Sequence, residues 1–111
     1  MKPLETVAVI GNGIIGHGIA QVFAMAGKRV KMIGRDEASL GRALDKISVS
    51  LTDFARHGLI EQAAIPGILT RVVPSVRLED AAEAQLVIEA AHSCYRKLLA
   101  AKSLPRQLSG I

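Results

Sequence analysis

Three glycines at fixed spacing carry the chemistry most directly readable in this chain. Gly11-Asn12-Gly13-Ile14-Ile15-Gly16 follows the apolar run Val7-Ala8-Val9-Ile10 and leads into a long apolar segment with helical spacing. A bare G-x-G-x-x-G is a weak signal, but between a buried strand and the first turn of a helix it points to a dinucleotide. Gly11 lets the strand turn sharply, where a side chain would demand the wrong backbone angles. Gly13 removes the Cβ that would hold a ligand off the main chain, and Gly16 lets the helix pack closely on the sheet. The free N–H groups at the helix start then face a pyrophosphate, whose negative charge the helix dipole favours. The competing explanation is a glycine-rich turn that binds no nucleotide.

Other reactive residues do not form comparable constellations. His92, Ser93 and Cys94 are adjacent in sequence, but neighbours rarely have base-to-nucleophile geometry and no orienting third group is evident. One cysteine and three scattered histidines show no metal-ligand spacing. His17 falls in the first helix, where packing or a backbone hydrogen bond is its expected role. Glu89 closes an apolar run, Leu86-Val87-Ile88, and so belongs on the ligand side of a parallel sheet, where it contacts cofactor or a loop; a structural role is an equal alternative.

The elements that must position the glycine loop alternate. Residues 6–10 read as a strand and 14–26 as a helix, with Ile15, Ile19, Val22, Phe23 and Ala26 on one face. Gly27 stops that helix, and a second strand covers 30–33. Asp36 is the expected N-cap of a helix reaching about His57, with Leu40, Ala43, Leu44, Ile47, Leu51 and Phe54 as its apolar stripe. A short helix over 61–68, a strand over 70–73, a helical turn over 78–82 and a strand over 86–88 complete the pattern. Alternating strands and helices imply an α/β fold with a parallel sheet in the doubly wound order 3-2-1-4. In that order the fourth strand is an open edge, an aggregation hazard unless something pairs with it.

Composition agrees with this reading. The 111 residues suffice for one domain, 50% are hydrophobic and only 3% aromatic, so the core is aliphatic, as in parallel strands buried on both faces. The single Cys94 rules out an internal disulfide and suits a reducing compartment. With no membrane-length apolar run and no signal-peptide pattern at the start, a cytoplasmic or organelle-matrix location is expected. The formal charge of +4 is unevenly spread: through Glu89 ten Lys and Arg balance ten Asp and Glu, and beyond it lie Arg96, Lys97, Lys102 and Arg106 with no acid. A nucleic-acid surface is not indicated, because no basic face interleaved with aromatics appears.

Residues 7–24, VAVIGNGIIGHGIAQVFA, together with Gly27, the helix 40–51, and Leu78-Glu79-Asp80-Ala81-Ala82 before Leu86-Val87-Ile88-Glu89-Ala90, resemble the nucleotide-binding domain of L-3-hydroxyacyl-CoA dehydrogenases. The resemblance covers about residues 6–90. It implies a Rossmann-type doubly wound parallel sheet, here truncated after the fourth strand, and a partial dinucleotide-binding domain over 1–90. It further implies an NAD(P) cofactor, an acyl-CoA substrate for the full-length protein, a homodimeric full-length protein, and hydride transfer between the 3-hydroxyl carbon and nicotinamide in fatty-acid metabolism. The histidine–glutamate pair that acts as base in such enzymes is expected beyond a fifth strand, so the 111 residues alone are expected to be inactive. By resemblance Gly11, Asn12, Gly13, Ile14, Ile15 and Gly16 hold the pyrophosphate, and Glu89 and Ala90 line the cofactor. Ser50 matches a position that contacts coenzyme A. His57 stands where a lysine often meets the CoA phosphates; a neutral imidazole is the weaker partner. For Ser50 and His57 an ordinary solvated helix face is an equal alternative.

Two departures stand out. At the end of the second strand the family normally has an acidic residue that binds the adenosine ribose, and this chain has Gly34-Arg35. Losing the carboxylate removes its repulsion of a 2′-phosphate, and a guanidinium can pair with that phosphate, which moves the expectation from NAD toward NADP. The competing reading has Asp36 swing in to hold the ribose, with Arg35 stacked on adenine. The second departure is the tail: residues 91–111 do not match, with Ser93 and Leu98 where the family has Glu and Lys, which suggests a frame-shifted or foreign C-terminus. Alternative functions are the cofactor domain of an NADPH-dependent β-hydroxyacid or imine reductase, and a non-catalytic dinucleotide-sensing module.

Overall fold

The computed structural model describes residues 4–90 together with the backbone of 108–110. Five parallel strands form one sheet in the order β3-β2-β1-β4-β5. They are β1 (Thr6–Ile10), β2 (Arg29–Ile33), β3 (Val72–Ser75), β4 (Leu86–Glu89) and β5 (Leu108–Gly110). The helices are α1 (Ile14–Met25), α2 (Glu37–Arg56) and α3 (Ile65–Arg71), with 3-10 turns at Gln62–Ala64 and Leu78–Glu83.

Successive strand residues point to opposite faces, and both faces are apolar. Val7, Val9, Val30, Met32 and Ile88 pack under α1, α2 and α3, against Ala20, Ala24, Leu40, Ile47, Leu51 and Ile68. Ala8, Ile10, Ile33 and Val87 face Leu78 and Ala81 of the 3-10 turn. Burial on both faces explains why β1 and the start of β4 read as continuous apolar runs, whereas β2 interrupts its run with Lys31 and the edge strand β3 exposes Val73 and Pro74.

Three sequence expectations need correction. First, the sheet is not truncated after the fourth strand: β5 pairs with β4 through Val87↔Leu108, Ile88↔Ser109 and Glu89↔Gly110, so the bare row of backbone groups on β4 has a partner. Second, α1 does not bury the Ile15, Val22 side. Its buried residues are Gly16, Ala20, Gln21 and Ala24, while Ile14, Ile15 and Val22 are 81, 66 and 64% exposed. Close approach to the sheet selects the smallest side chains, and Gly16, Ala20 and Ala24 repeat every four residues down one side. Third, the helix after Pro66 runs on to Arg71, so β3 begins at Val72 and contains Pro74. A proline is tolerated there because β3 is an edge strand.

Candidate functional site

Ladder hydrogen bonds draw the expected cofactor residues to the carboxyl edge of the sheet. Gly11 N donates to Ile33 O at 2.7 Å, Gly34 N to Ser75 O at 3.0 Å, and Ala90 N to Ile10 O at 2.8 Å. The ends of all four strands from β3 to β4 are thereby held in one line, with Gly11, Gly34, Glu89 and Ala90 along it.

The glycine loop has the geometry its spacing foretold. Gly11 adopts φ 111°, a left-handed conformation that side chains disfavour. A Cβ on Gly16 would overlap the carbonyl oxygen of Gly11 and lie 2.7 Å from its carbon, so the helix sits directly against the loop. A Cβ on Gly13 would meet nothing within 4 Å, which leaves the space above the loop open. Gly13 is the N-cap of α1 and offers no side-chain cap, and the first turn carries no acid. The start of α1 is thus a ring of backbone donors next to open space, with a positive dipole end and no competing carboxylate. These features fit a dinucleotide pyrophosphate.

The start of α2 is built in the opposite way. The Asp36 carboxylate accepts from Ser39 N at 2.7 Å, and Glu37 adds an acid to the first turn. The Ser39 N–H holds the Asp36 carboxyl below the usual carboxylate range, against the opposing effect of desolvation. The Ser39 hydroxyl, Arg42 and Arg35 act in the same direction as the N–H. The cap therefore takes up one oxygen of Asp36, Oδ1. Arg35 is exposed beside it.

Ser50 and His57 are not gathered at this edge. Ser50 lies in the far half of α2, where its hydroxyl accepts from the Nε2 of the buried Gln21 at 2.9 Å. His57 caps the carboxyl end of α2, its Nδ1 2.8 Å from Asp53 O, roughly 30 Å along the axis from Asp36. His17 on α1 has Nε2 buried without a hydrogen-bond partner among the described residues. Burial first, and Lys46 second, push its imidazole below the ordinary histidine value. His92, Ser93, Cys94 and the rest of the expected foreign tail before residue 108 lie outside the described residues. Among the described residues no group of three His, Cys, Asp or Glu could hold a metal, and no helix is long and apolar enough to cross a membrane.

The loop geometry agrees with comparison to known proteins. The family described as "3-hydroxyacyl-CoA dehydrogenase, NAD binding domain" matches residues 6–97. The chain belongs to that family. A 3-hydroxyadipyl-CoA dehydrogenase of Escherichia coli K12 is 35% identical over 111 residues, covering 100% of this chain and 23% of that protein. A 3-hydroxybutyryl-CoA dehydrogenase of Clostridioides difficile is 33% identical over 84 residues, 76% of this chain and 30% of that protein. The crystal structure of an Escherichia coli K12 3-hydroxybutyryl-CoA dehydrogenase superposes with a TM-score of 0.85 at 34% identity, covering 98% of this chain and 25% of that one. The chain therefore spans about a quarter of the length of these relatives, over their NAD-binding region.

Sequence reasoning missed Ser39 and Gln21. Ser39 stands three residues after the Asp36 cap, a spacing at which a second capping partner is common. Gln21 is a lone amide on the small-residue side of α1; besides a weak bond to Met25 Sδ in its own helix, its main partner, Ser50, comes from the facing helix α2.

Proposed function

We propose that this chain supplies the dinucleotide cradle of an oxidoreductase acting on 3-hydroxyacyl-CoA, and that its cofactor is NADP in preference to NAD. The observation that carries the cradle is the uncapped, acid-free start of α1 beside an open Gly13. Once bound, the nicotinamide would accept or return the hydride of the 3-hydroxyl carbon. The chain's own residues bind and orient: the main chain from Gly11 to Gly16 grips the pyrophosphate, and Glu89 and Ala90 flank the cofactor at the β4 end. The preference for NADP rests on Gly34, which bears no carboxylate, and on the exposed Arg35 guanidinium; Asp36 already spends one oxygen on the cap of α2.

The acyl-CoA class comes from the relatives' substrates and from the resemblance, which assigns coenzyme A contacts to Ser50 and His57. A homodimeric, cytoplasmic full-length enzyme is part of the same reading. Catalysis needs the histidine–glutamate pair expected beyond these residues, so the 111 residues bind cofactor and do not turn over substrate.

Calorimetric titration of the chain with NAD+ and NADP+ tests the cradle, and incubation with a 3-hydroxyacyl-CoA and either nucleotide tests turnover. Saturable binding without nucleotide reduction is expected. Failure to bind either nucleotide would overturn the proposal, and reduction by the chain alone would overturn its division of labour.

A further inference from the structure

The side chain that fills the end of β2 does not belong to β2. Gly34 has none, and a Cβ built there would lie 3.0 Å from both Cγ and Nδ2 of Asn12 and 3.0 Å from Leu40 Cδ2. The Asn12 carboxamide, projecting from the glycine loop, occupies the space a residue-34 side chain would need. It is held there: Asn12 Nδ2 donates to Ser39 Oγ at 2.9 Å. The Ser39 hydroxyl has one proton and gives it to Asp36 O at 3.1 Å, so toward Asn12 it can only accept. That assignment fixes which end of the amide faces Ser39. Asn12 Oδ1 accepts no hydrogen bond among the described residues and remains available as an acceptor.

We infer that Asn12 takes over the ribose-binding place at the end of β2, and that its uncharged carboxamide is what admits a 2′-phosphorylated adenosine ribose. This rests on the dinucleotide reading above. A carboxylate in that place accepts from ribose hydroxyls but repels a phosphate dianion, and the repulsion grows at a partly desolvated site. An amide oxygen accepts from the 3′-hydroxyl, the one ribose donor that a 2′-phosphorylated adenosine keeps, without that repulsion, and the adjacent Arg35 supplies a cation for the phosphate. The glycine at 34 and the asparagine at 12 then form one device. The glycine makes room, and the asparagine, locked by Ser39, fills it.

The test is the ratio of NADP+ to NAD+ dissociation constants, measured by calorimetry on the wild-type chain and on Asn12→Asp, Asn12→Ala, Gly34→Asp and the double variant Asn12→Ala/Gly34→Asp. Asn12→Asp should shift the ratio toward NAD+ by about tenfold or more, chiefly by weakening NADP+. Gly34→Asp alone crowds the Asn12 amide, which must give by a few tenths of an ångström and strain its bond to Ser39, and should weaken both nucleotides. Removing the amide in the double variant should restore NAD+ binding while leaving NADP+ weak. An Asn12→Asp ratio within about twofold of wild type would overturn the Asn12 assignment. Should Asn12→Asp lose its native circular dichroism, the double variant decides: NAD+ binding no better than in Gly34→Asp alone overturns it equally. A wild-type chain that binds neither nucleotide refutes the dinucleotide reading itself. Wild-type binding with an unmoved ratio removes only the role given to Asn12.

Discussion

Replacing Gly16 by alanine asks whether α1 is seated on the loop as tightly as its geometry shows. The added methyl would overlap the Gly11 carbonyl oxygen and lie 2.7 Å from its carbon. That neighbour is main chain, hydrogen-bonded through Gly11 N to Ile33 O, and cannot rotate away. Either α1 lifts from the sheet or the loop moves. Forcing an extra carbon into a close-packed contact costs about 1–3 kcal/mol or more. Alanine's better helix propensity offsets up to about 1 kcal/mol of that. Gly18, two residues along the same helix, provides the control, because a Cβ there meets nothing within 4 Å. Gly18→Ala should therefore stabilise the fold by roughly 0.5–1 kcal/mol, from propensity alone. Urea denaturation followed by circular dichroism, with linear extrapolation, reads both values. In a domain of this size each 1 kcal/mol corresponds to about 4–8 °C in Tm, so opposite signs are easily resolved. If both substitutions moved stability in the same direction, the tight seating of α1 on Gly11 would be refuted. Gly16→Ala should also abolish nucleotide binding, whereas Gly18→Ala should leave it intact.

Three further outcomes follow from the described contacts. Ser50→Ala deprives the buried Gln21 amide of its oxygen acceptor, leaving only the weak Met25 Sδ at 3.9 Å, and should cost about 1–3 kcal/mol in urea denaturation while leaving NADP+ affinity unchanged. A loss of nucleotide affinity without a loss of stability would contradict the tie between α1 and α2. Asp36 has its pKa lowered in the fold, so its stabilisation is complete above the unfolded value and is lost as pH falls through the lowered one. Asp36→Ala should therefore destabilise near neutrality and show a weaker loss of stability on acidification; parallel acid profiles would refute the cap. His17 is also depressed, by burial, so the fold is unaffected above the ordinary histidine value and loses stability as pH falls through the lowered one. A proton NMR titration should place the His17 midpoint below that of a free imidazole, and a midpoint at or above it would contradict its burial.

Local signals were legible in sequence wherever a residue acts within its own turn. Gly11 to Gly16 at the strand-to-helix junction, Asp36 as N-cap and the alternating elements all stand where periodicity and capping put them. The buried side of α1 was misread because Ile15, Val22 and Phe23 have helical spacing as good as that of Gly16, Ala20 and Ala24. Close approach to the sheet, which depends on the loop, decides for the small residues. The extension of the helix past Pro66 displaced β3 by two residues. Leu108–Gly110 carries no strand signal of its own, being three residues with a glycine, and it is a strand only because β4 offers an edge. The bonds from Asn12 to Ser39 and from Gln21 to Ser50 join residues 27 and 29 positions apart, beyond any local pattern.

The claim that backbone amides at the start of α1 grip a dinucleotide is tested most directly by nitrogen-15 NMR of the labelled chain titrated with NADP+. Saturable shift changes should concentrate on the amides of Gly13 to Gly16, with a second set at Gly34 and Arg35, while Gly58 and its neighbours stay still. Changes confined to the far end of α2, or no saturable change at all, would contradict it.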